Sequence, residues 1–233
     1  MNQRIGLARL AGPTIAVLSA AGLAAAATQP AVAATPPGAI WHLDETTTGA
    51  QAIDSSGNGN HGTPHGDVVI GQTGRLGTAY SFANPGAWVE VPSSTSLNPG
   101  RRNFAFSASV NFSVAPGPGV TYDIIRKGLS ATSGGEYKLE IVNGGRVKCE
   151  TKDSARRRIV ITGPNVSLAD GTWHQVGCAR VGSSWQVIID GKVKSKTVTL
   201  GSVSNTKTLA IGSKYGQDDG TPGLVDEVRV TIG

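Results

Sequence analysis

Acidic side chains are the first groups in this sequence that could do chemistry, because hydrolysis of a glycosidic bond needs two carboxylates. The two lie about 5 to 5.5 Å apart in retaining enzymes and about 6.5 to 9.5 Å apart in inverting ones. Glu136 and Glu140 stand four residues apart in a strand-like run and would share one face. At about 3.4 Å per residue their Cα atoms would be about 14 Å apart, which is too far for a pair. With no G-x-S-x-G or H-E-x-x-H motif either, the sequence predicts no catalytic residue.

The first 33 residues have the layout of a secretory signal peptide. Arg4 and Arg9 form a basic region, an apolar stretch follows at 10–27, and Ala-Val-Ala at 31–33 is a small-x-small cleavage site. About 20 apolar residues could also span a membrane, but the alanine-rich core and the cleavage site favour removal. We therefore expect a secreted protein without stable membrane insertion after cleavage. The predicted segments are a signal peptide at 1–33, a linker at 34–38 and one domain at 39–233.

Composition narrows the class of the remaining chain. The 233 residues include 32 glycines, and only 16% are charged, which argues against a coiled coil or a charge-rich disordered protein. The net charge is +5, and removal of the leader with its two arginines lowers that charge by two. Secretion and a modest charge make nucleic acid an unexpected partner.

Alternation of apolar and polar residues predicts strands through most of the chain. At 104–112, Phe104, Phe106, Ala108, Val110 and Phe112 would share one face. Asp-Gly at 190–191 predicts a type I′ hairpin, whose two central residues need positive φ. No window shows a helical stripe, so we predict roughly twelve to fourteen strands in an all-β, two-sheet antiparallel sandwich.

Two cysteines, Cys149 and Cys178, are the only ones in the chain. In an oxidising compartment an even count favours a disulfide, and both lie in strand-like runs whose apolar faces could meet inside a sandwich. The alternative is a catalytic cysteine with His174, four residues from Cys178, as its base. We predict the disulfide, which would stabilise the fold by about 3 to 4 kcal/mol in the chain-entropy model.

A series of short motifs, in order along nearly the whole domain, resembles a known family. The chain looks like a laminin G-like jelly-roll domain of the concanavalin A-like lectin/glucanase superfamily, of the bacterial secreted type. The motifs are W-H-L-D-E at 41–45, D-S-S-G-N-G-N-H-G-T at 54–63, G-x-A-x-x-F at 77–82, W-V-E-V-P at 88–92, D-G-T-W-H at 170–174, D-G at 190–191, I-G at 211–212 and D-E-V-R-V at 226–230.

The resemblance implies a structural calcium ion, since such domains often carry one near their joined terminal strands. Calcium takes 6 to 8 oxygen ligands. Asp54, Asn58 and Asn60 could supply oxygens from one glycine-permitted turn, and Asp226 matches a terminal-strand aspartate that often binds the ion. The alternative is that Asp54 begins an Asx-type turn and bonds its own backbone.

The resemblance also implies a structural corner at Trp173 and His174, with Trp173 in the core and His174 bonded to backbone. A histidine with a pKa near 6.5 could instead act as a general base. The other tryptophans, Trp41, Trp88 and Trp185, could stack on sugar rings if they were exposed. Each lies in a strand run, so we expect each of them in the core.

The leading hypothesis is a secreted, non-catalytic module, expected as a monomer, that binds a glycan or an extracellular or cell-surface protein. The related glucanases place their carboxylates as E-x-D-x-E or E-x-D-x-x-E on one strand, and no such run occurs here. A polysaccharide-active enzyme of the same fold and a structural or adhesive envelope protein are the alternatives. Basic residues cluster at Arg156, Arg157 and Arg158, near Arg146, Lys148 and Lys152. This cluster would be either a solvated hairpin end and outward strand face or a patch for acidic polymers. The ligand itself is not predicted.

Overall fold

The computed structural model describes residues 37–84, 86–217 and 219–233. The predicted signal peptide and most of the predicted linker lie outside these residues. The described chain forms fifteen strands and one short 3₁₀ helix at Thr95–Leu97, and no helix in it is long and apolar enough to cross a membrane. The strands are β1 Pro37–Trp41, β2 Thr63–His65, β3 Val69–Thr73, β4 Thr78–Ser81, β5 Trp88–Val91, β6 Phe104–Asn111, β7 Tyr122–Lys127, β8 Glu136–Val142, β9 Arg146–Lys152, β10 Arg158–Thr162, β11 His174–Val181, β12 Ser184–Ile189, β13 Lys192–Thr197, β14 Leu209–Ile211 and β15 Leu224–Ile232.

All strand pairs are antiparallel, and they form two sheets. The eight-stranded sheet has the order β13-β12-β11-β6-β15-β4-β3, with β1 paired to β15. The seven-stranded sheet has the order β10-β9-β8-β7-β14-β5-β2. Sequence neighbours such as β5 and β6 lie in different sheets, so the chain crosses between layers as a jelly-roll sandwich does. The predicted fold class is confirmed.

The core lies between the sheets and follows the alternation of the strands. Phe104 and Phe106 of β6, Tyr137 of β8 and Trp185 of β12 are all almost fully buried. The rings of Phe106 and Tyr137 lie 4.9 Å apart, and those of Phe104 and Trp185 lie 5.8 Å apart. Because successive side chains point to opposite sides of a strand, the intervening residues define an outer face on each sheet.

A disulfide joins the two sheets through this core. Cys149 of β9 and Cys178 of β11 have their sulfur atoms 2.02 Å apart, and the described residues contain no free cysteine. The predicted pairing is confirmed, and the catalytic alternative for Cys178 is wrong.

The hairpin at 190–191 and the start of the first strand can be compared with their predicted positions. Asp190 and Gly191 both have positive φ, at 48° and 76°, between β12 and β13. This confirms the predicted hairpin. β1 begins at Pro37, within the stretch assigned to the linker, because its backbone already pairs with Thr231 of β15.

Candidate functional site

An aromatic cluster lies on the outer face of the seven-stranded sheet, near its edge strand β2. Trp88 of β5 is directly opposite His65 of β2, and the two rings stack with centroids 5.1 Å apart and planes 23° apart. Tyr215 meets the indole edge-on at 5.8 Å. Glu90, two residues along β5, places a carboxylate oxygen 3.1 Å from Nε2 of His65. We call Trp88, His65, Tyr215 and Glu90 the aromatic patch.

The alternation of β5 explains why Trp88 faces outward. Val89 and Val91 are fully buried in the core, so Trp88 and Glu90 between them must point to the opposite side. Trp88 is partly exposed, whereas Trp41 and Trp185 are fully buried. The core assignment is therefore confirmed for Trp41 and Trp185 and wrong for Trp88, although the sequence carried the alternation that could have found it.

The loop that carries Tyr215 is fitted closely to the indole. Gly216 has φ +70°, and a Cβ at this position would lie 2.7 Å from Nε1 of Trp88, so glycine is required for the approach. The hydroxyl of Tyr215 accepts a hydrogen bond from the Gly128 N–H at 2.8 Å and donates to the Thr208 carbonyl at 3.2 Å. The hydroxyl end of the Tyr215 side chain is thus held by two hydrogen bonds before any ligand arrives.

A network of charged side chains continues across the same outer face. One cross-strand row runs from Glu90 through Ala210, Arg126 and Lys138 to Glu150. Adjacent strands lie about 4.8 Å apart, so the Cα atoms of Glu90 and Arg126, which are two strands apart, are separated by about 10 Å. The aromatic patch and the charged network are therefore neighbouring parts of one surface.

Arg126 is the centre of this network, and its side chain is only 4% exposed. Its Nε donates to the Asp123 carboxylate, and its two terminal nitrogens lie 3.6 Å from carboxylate oxygens of Glu136 and Glu140. Burial raises the pKa of Asp123 to about 6 in spite of Arg126, and burial also raises the pKa of Glu136. Desolvation of these carboxyls therefore outweighs the attraction of the one guanidinium that they share.

The outer half of the network has an excess of cations. The Lys148 ammonium lies 2.7 Å from Glu140 and 3.1 Å from Glu150, and Lys138 also contacts both. Burial alone would raise the pKa values of Glu140 and Glu150. The two lysines, together with Arg158 beside Glu150, hold both pKa values below the ordinary range. Arg158 binds Glu150 through two parallel hydrogen bonds of 2.6 and 2.8 Å, a geometry that fixes its direction.

The carboxylates of Glu136 and Glu140 converge on one guanidinium. Their Cα separation along β8 does not keep the carboxylates apart, because both reach the same side chain of Arg126. Each glutamate is 1% exposed, however, and both oxygens of Glu136 accept no hydrogen bond from the described residues. A substrate has no access to these carboxylates, so the arrangement is a buried ion network.

Two of the three adjacent arginines at 156–158 belong to structural ion pairs. Arg158 binds Glu150, and Arg157 donates from Nε to the buried Asp153 at 2.8 Å. This supports the interpretation of the run as a hairpin end over that of a patch for acidic polymers.

The residues predicted to bind calcium lie in two separate hydrogen-bond systems. Asp54 accepts four hydrogen bonds, from the Ile40 and Ser56 N–H groups on Oδ1 and from Ser56 Oγ and the Asn60 N–H on Oδ2. Backbone and hydroxyl donors thus use all the lone-pair positions of this carboxylate. Asn58 and Asn60 each donate from their side-chain amide to the Gly38 carbonyl.

Asp226 serves a different turn. Its Oδ2 accepts hydrogen bonds from the Arg75 and Leu76 N–H groups at 2.8 and 3.0 Å, and its Oδ1 accepts one from Glu227. Within the described residues no group of three or more His, Cys, Asp or Glu side chains could hold a metal ion. As placed, these four residues do not fit a calcium ion, and calcium stays a prediction from the family resemblance alone.

The corner at Trp173 and His174 differs from its expected structure. Trp173 is partly exposed, not in the core. His174 lies between two carboxylates, with Nδ1 2.8 Å from Asp190 and Nε2 3.2 Å from Asp170, instead of bonding to backbone. Burial would lower the pKa of His174, but the two aspartates raise it above its ordinary value. The ring is therefore held as part of a surface ion pair beside a cavity of about 430 Å³.

Comparison with known proteins places this architecture. The sequence matches the family model described as "Concanavalin A-like lectin/glucanases superfamily" over residues 82–231, more than half of the chain. No curated protein matches the sequence. Many solved structures share the fold.

Three of these structures show the range of similarity. The binding domain of Paraclostridial Mosquitocidal Protein 1 has a TM-score of 0.68 and 14% identity, over 84% of this chain and 48% of that one. The botulinum neurotoxin serotype D ligand binding domain, in complex with N-acetylneuraminic acid, has a TM-score of 0.62 and 15% identity, over 84% of this chain and 47% of that one. Domain 4 of AbnA, a GH43 extracellular arabinanase from Geobacillus stearothermophilus in complex with arabinotriose, has a TM-score of 0.62 and 17% identity, over 85% of this chain and 93% of that one. The chain thus spans about half of the toxin domains and most of the arabinanase domain.

Proposed function

We propose, from the premise that this chain belongs to the concanavalin A-like lectin/glucanase superfamily, that it is a secreted, non-catalytic module that binds a glycan through the aromatic patch. The observation that carries the proposal is Trp88, a partly exposed indole on an outer sheet face beside polar side chains.

The chemistry of the aromatic patch suits a sugar. A pyranose or furanose ring presents C–H groups on one side, which pack on an aromatic face, and hydroxyl groups around its edge. His65 and Glu90 have 42% and 36% of their side chains exposed next to the indole, and they offer a nitrogen and two oxygens for those hydroxyls. The fixed position of Tyr215 lowers the cost of ordering the site when a ligand binds.

The structural neighbours support the ligand class. Domain 4 of the arabinanase carries arabinotriose, and the neurotoxin serotype D domain carries N-acetylneuraminic acid. Both are sugars bound by domains of this fold, although fold alone does not determine function. The signal peptide predicted at 1–33 would place our module outside the cell, where such ligands occur.

The enzyme hypothesis is the second candidate because Glu136 and Glu140 share Arg126. It requires the buried network to open, since neither carboxylate reaches the surface. The aromatic patch requires no rearrangement, and for this reason we favour binding over catalysis.

The test is a glycan array followed by titration of the best neutral oligosaccharide. Trp88→Ala should weaken binding roughly 30-fold or more, the loss expected for a central aromatic anchor worth about 2 kcal/mol. Trp173→Ala is the matched control, because Trp173 is also partly exposed but lies outside the aromatic patch, and its affinity should equal that of the wild type. Equal affinities for all three proteins would refute the assignment to Trp88. An array without any binding, together with glycan-independent attachment to cells, would favour the structural or adhesive alternative.

A further inference from the structure

A second groove lies on the outer face of the eight-stranded sheet, away from the aromatic patch. It encloses about 400 Å³, within the range of small-ligand sites. Its floor consists of Ser107 and Ser109 of β6 beside Gly177 of β11. The walls are the turn with Arg75 and Leu76, the side chain of Gln175, and Glu227 with Arg229 on β15.

Small residues and a bulge keep this groove open. A Cβ at position 177 would lie 3.1 Å from Cβ of Ser107, so a side chain there would crowd the floor. The pairing of β15 with β6 is interrupted between Asp226 and Arg229, and Glu227 has φ +49°. This left-handed residue is strained for a side-chain-bearing amino acid, and it turns Glu227 and Arg229 toward the same groove.

Asp226 fixes the wall of the groove that the turn with Arg75 and Leu76 forms. This carboxylate is fully buried and accepts the two hydrogen bonds from the backbone of Arg75 and Leu76. The Arg75 guanidinium then extends over the floor and donates from Nη1 to Ser109 Oγ at 3.2 Å. Its position is therefore set by the fold and not by an ion pair.

Two arginines in this groove have no carboxylate partner within the described chain. Among the residues that the structure describes, no carboxylate oxygen lies within 4 Å of the guanidinium of Arg75 or Arg229, in contrast to Arg126 and Arg158 on the other sheet. The nearby acids are already bonded elsewhere. A carboxylate oxygen of Glu227 lies 2.8 Å from Nδ1 of His42. The carboxylate of Asp190 is close enough to Arg75 for the arginine to lower its pKa, but it lies 2.8 Å from Nδ1 of His174.

We infer that this groove binds a carboxylate-bearing sugar, with the acid group held between Arg75 and Arg229. Guanidinium groups bind carboxylates through paired hydrogen bonds. The Ser107 hydroxyl, the Gln175 amide and the free oxygen of Glu227 would then contact hydroxyl groups of the ring. This site is separate from the aromatic patch, so the module would recognise neutral and acidic residues on opposite sheets.

The experiment is a calorimetric titration of the whole protein with trigalacturonate and, separately, with the neutral oligosaccharide chosen on the array. Arg75→Gln and Arg229→Gln should each weaken trigalacturonate binding roughly 10- to 100-fold, because each removes a charge-assisted contact. The neutral ligand should bind both variants as it binds the wild type. Arg101→Gln, the same change at an exposed arginine outside the groove, should leave both affinities unchanged.

The outcomes separate this inference from the proposed function. Loss of neutral binding in Trp88→Ala with trigalacturonate binding retained supports two sites. Trigalacturonate binding that is absent in the wild type, unchanged in both groove variants or abolished by Trp88→Ala overturns the inference. Arg75→Lys sharpens the result, because it keeps the charge but not the paired geometry, and it should fall between the wild type and Arg75→Gln.

Discussion

The outer faces of the two sheets place charged side chains in opposite ways. On the seven-stranded sheet, acidic and basic residues of four neighbouring strands neutralise one another, and Asp123, Glu136 and Glu140 are almost fully buried. On the eight-stranded sheet, Arg229 is exposed, and its guanidinium lies within 4 Å of no carboxylate oxygen in the part of the chain that the structure describes. Both faces are built from antiparallel strands, so the difference lies in the side chains and in the bulge of β15 between Asp226 and Arg229.

The comparison shows which charges the fold needs. A buried ion pair costs desolvation and becomes strongly destabilising when one partner is removed. An exposed arginine without a partner contributes almost nothing to stability. The network around Arg126 is therefore explained by folding, whereas Arg75 and Arg229 have no such explanation, and this makes their groove the better place to look for recognition.

The largest expected effect comes from one substitution made on each face. Arg126→Met should lower the free energy of unfolding by about 3 to 5 kcal/mol, because it leaves three buried carboxyls without their shared cation. Arg229→Met, the same change on the other face, should alter it by no more than about 0.5 kcal/mol. Urea denaturation at pH 7.5 measures both.

The pH dependence of the Arg126→Met deficit is the internal control. Asp123 and Glu136 have raised pKa values, so at pH 5 protonation should relieve part of the unpaired charge and shrink the deficit. If the two arginine variants lost equal free energy of unfolding, the faces would differ in how their charges are arranged but not in how much those charges stabilise the fold.

Local patterns in the sequence predicted the elements of this fold but not the contacts between distant strands. Alternation at 104–112 identified β6, and compartment together with strand parity identified the Cys149–Cys178 bond. The usual burial of tryptophan predicts Trp88 in the core, whereas alternation with Val89 and Val91 predicts that it faces outward. At this position the place in the strand is a better guide than the residue type.

The charged network could not be predicted, because it depends on the register of four strands. Arg126, Lys138 and Glu150 come into one row only when β7, β8 and β9 pair as they do. Lys127 shows the same limit. It is fully buried, and its ammonium donates to the Asn205 and Lys207 carbonyls, about 80 residues away in the chain. Burial lowers the pKa of Lys127 to about 8, and nothing near it in sequence indicates such a site.

A smaller effect is expected at Asp54, a carboxylate whose partners are backbone and hydroxyl groups and not cations. Asp54→Ala should cost about 3 kcal/mol, since it removes the acceptor of four hydrogen bonds. Asp54→Asn keeps one acceptor oxygen and should cost less. If hydrogen bonding is the whole role of Asp54, thermal unfolding with and without EGTA should give the same difference between wild type and Asp54→Ala.

Calcium binding makes the opposite prediction for the same measurement. The ion implied by the family resemblance would raise the melting temperature of the wild type in calcium and lose that gain in EGTA. Asp54→Ala would then be insensitive to the chelator. An unchanged wild-type melting temperature after verified metal removal would refute calcium binding.

The smallest expected effect lies at the rim of the sandwich, where His174 is only partly shielded from water between Asp170 and Asp190. Because the pKa of His174 is raised in the folded state, its contribution to stability is fully present below the unfolded pKa of about 6.5 and is lost as the pH rises through the folded value. The contribution of His174 to the free energy of unfolding should not exceed about 1 kcal/mol, as for other partly exposed ion pairs. Denaturation of the wild type and His174→Gln from pH 5 to pH 8.5 measures it as a difference that narrows with pH. If the two curves stay parallel, His174 is held by shape and not by charge, and the rim then resembles the uncharged floor of the groove more than the ion network.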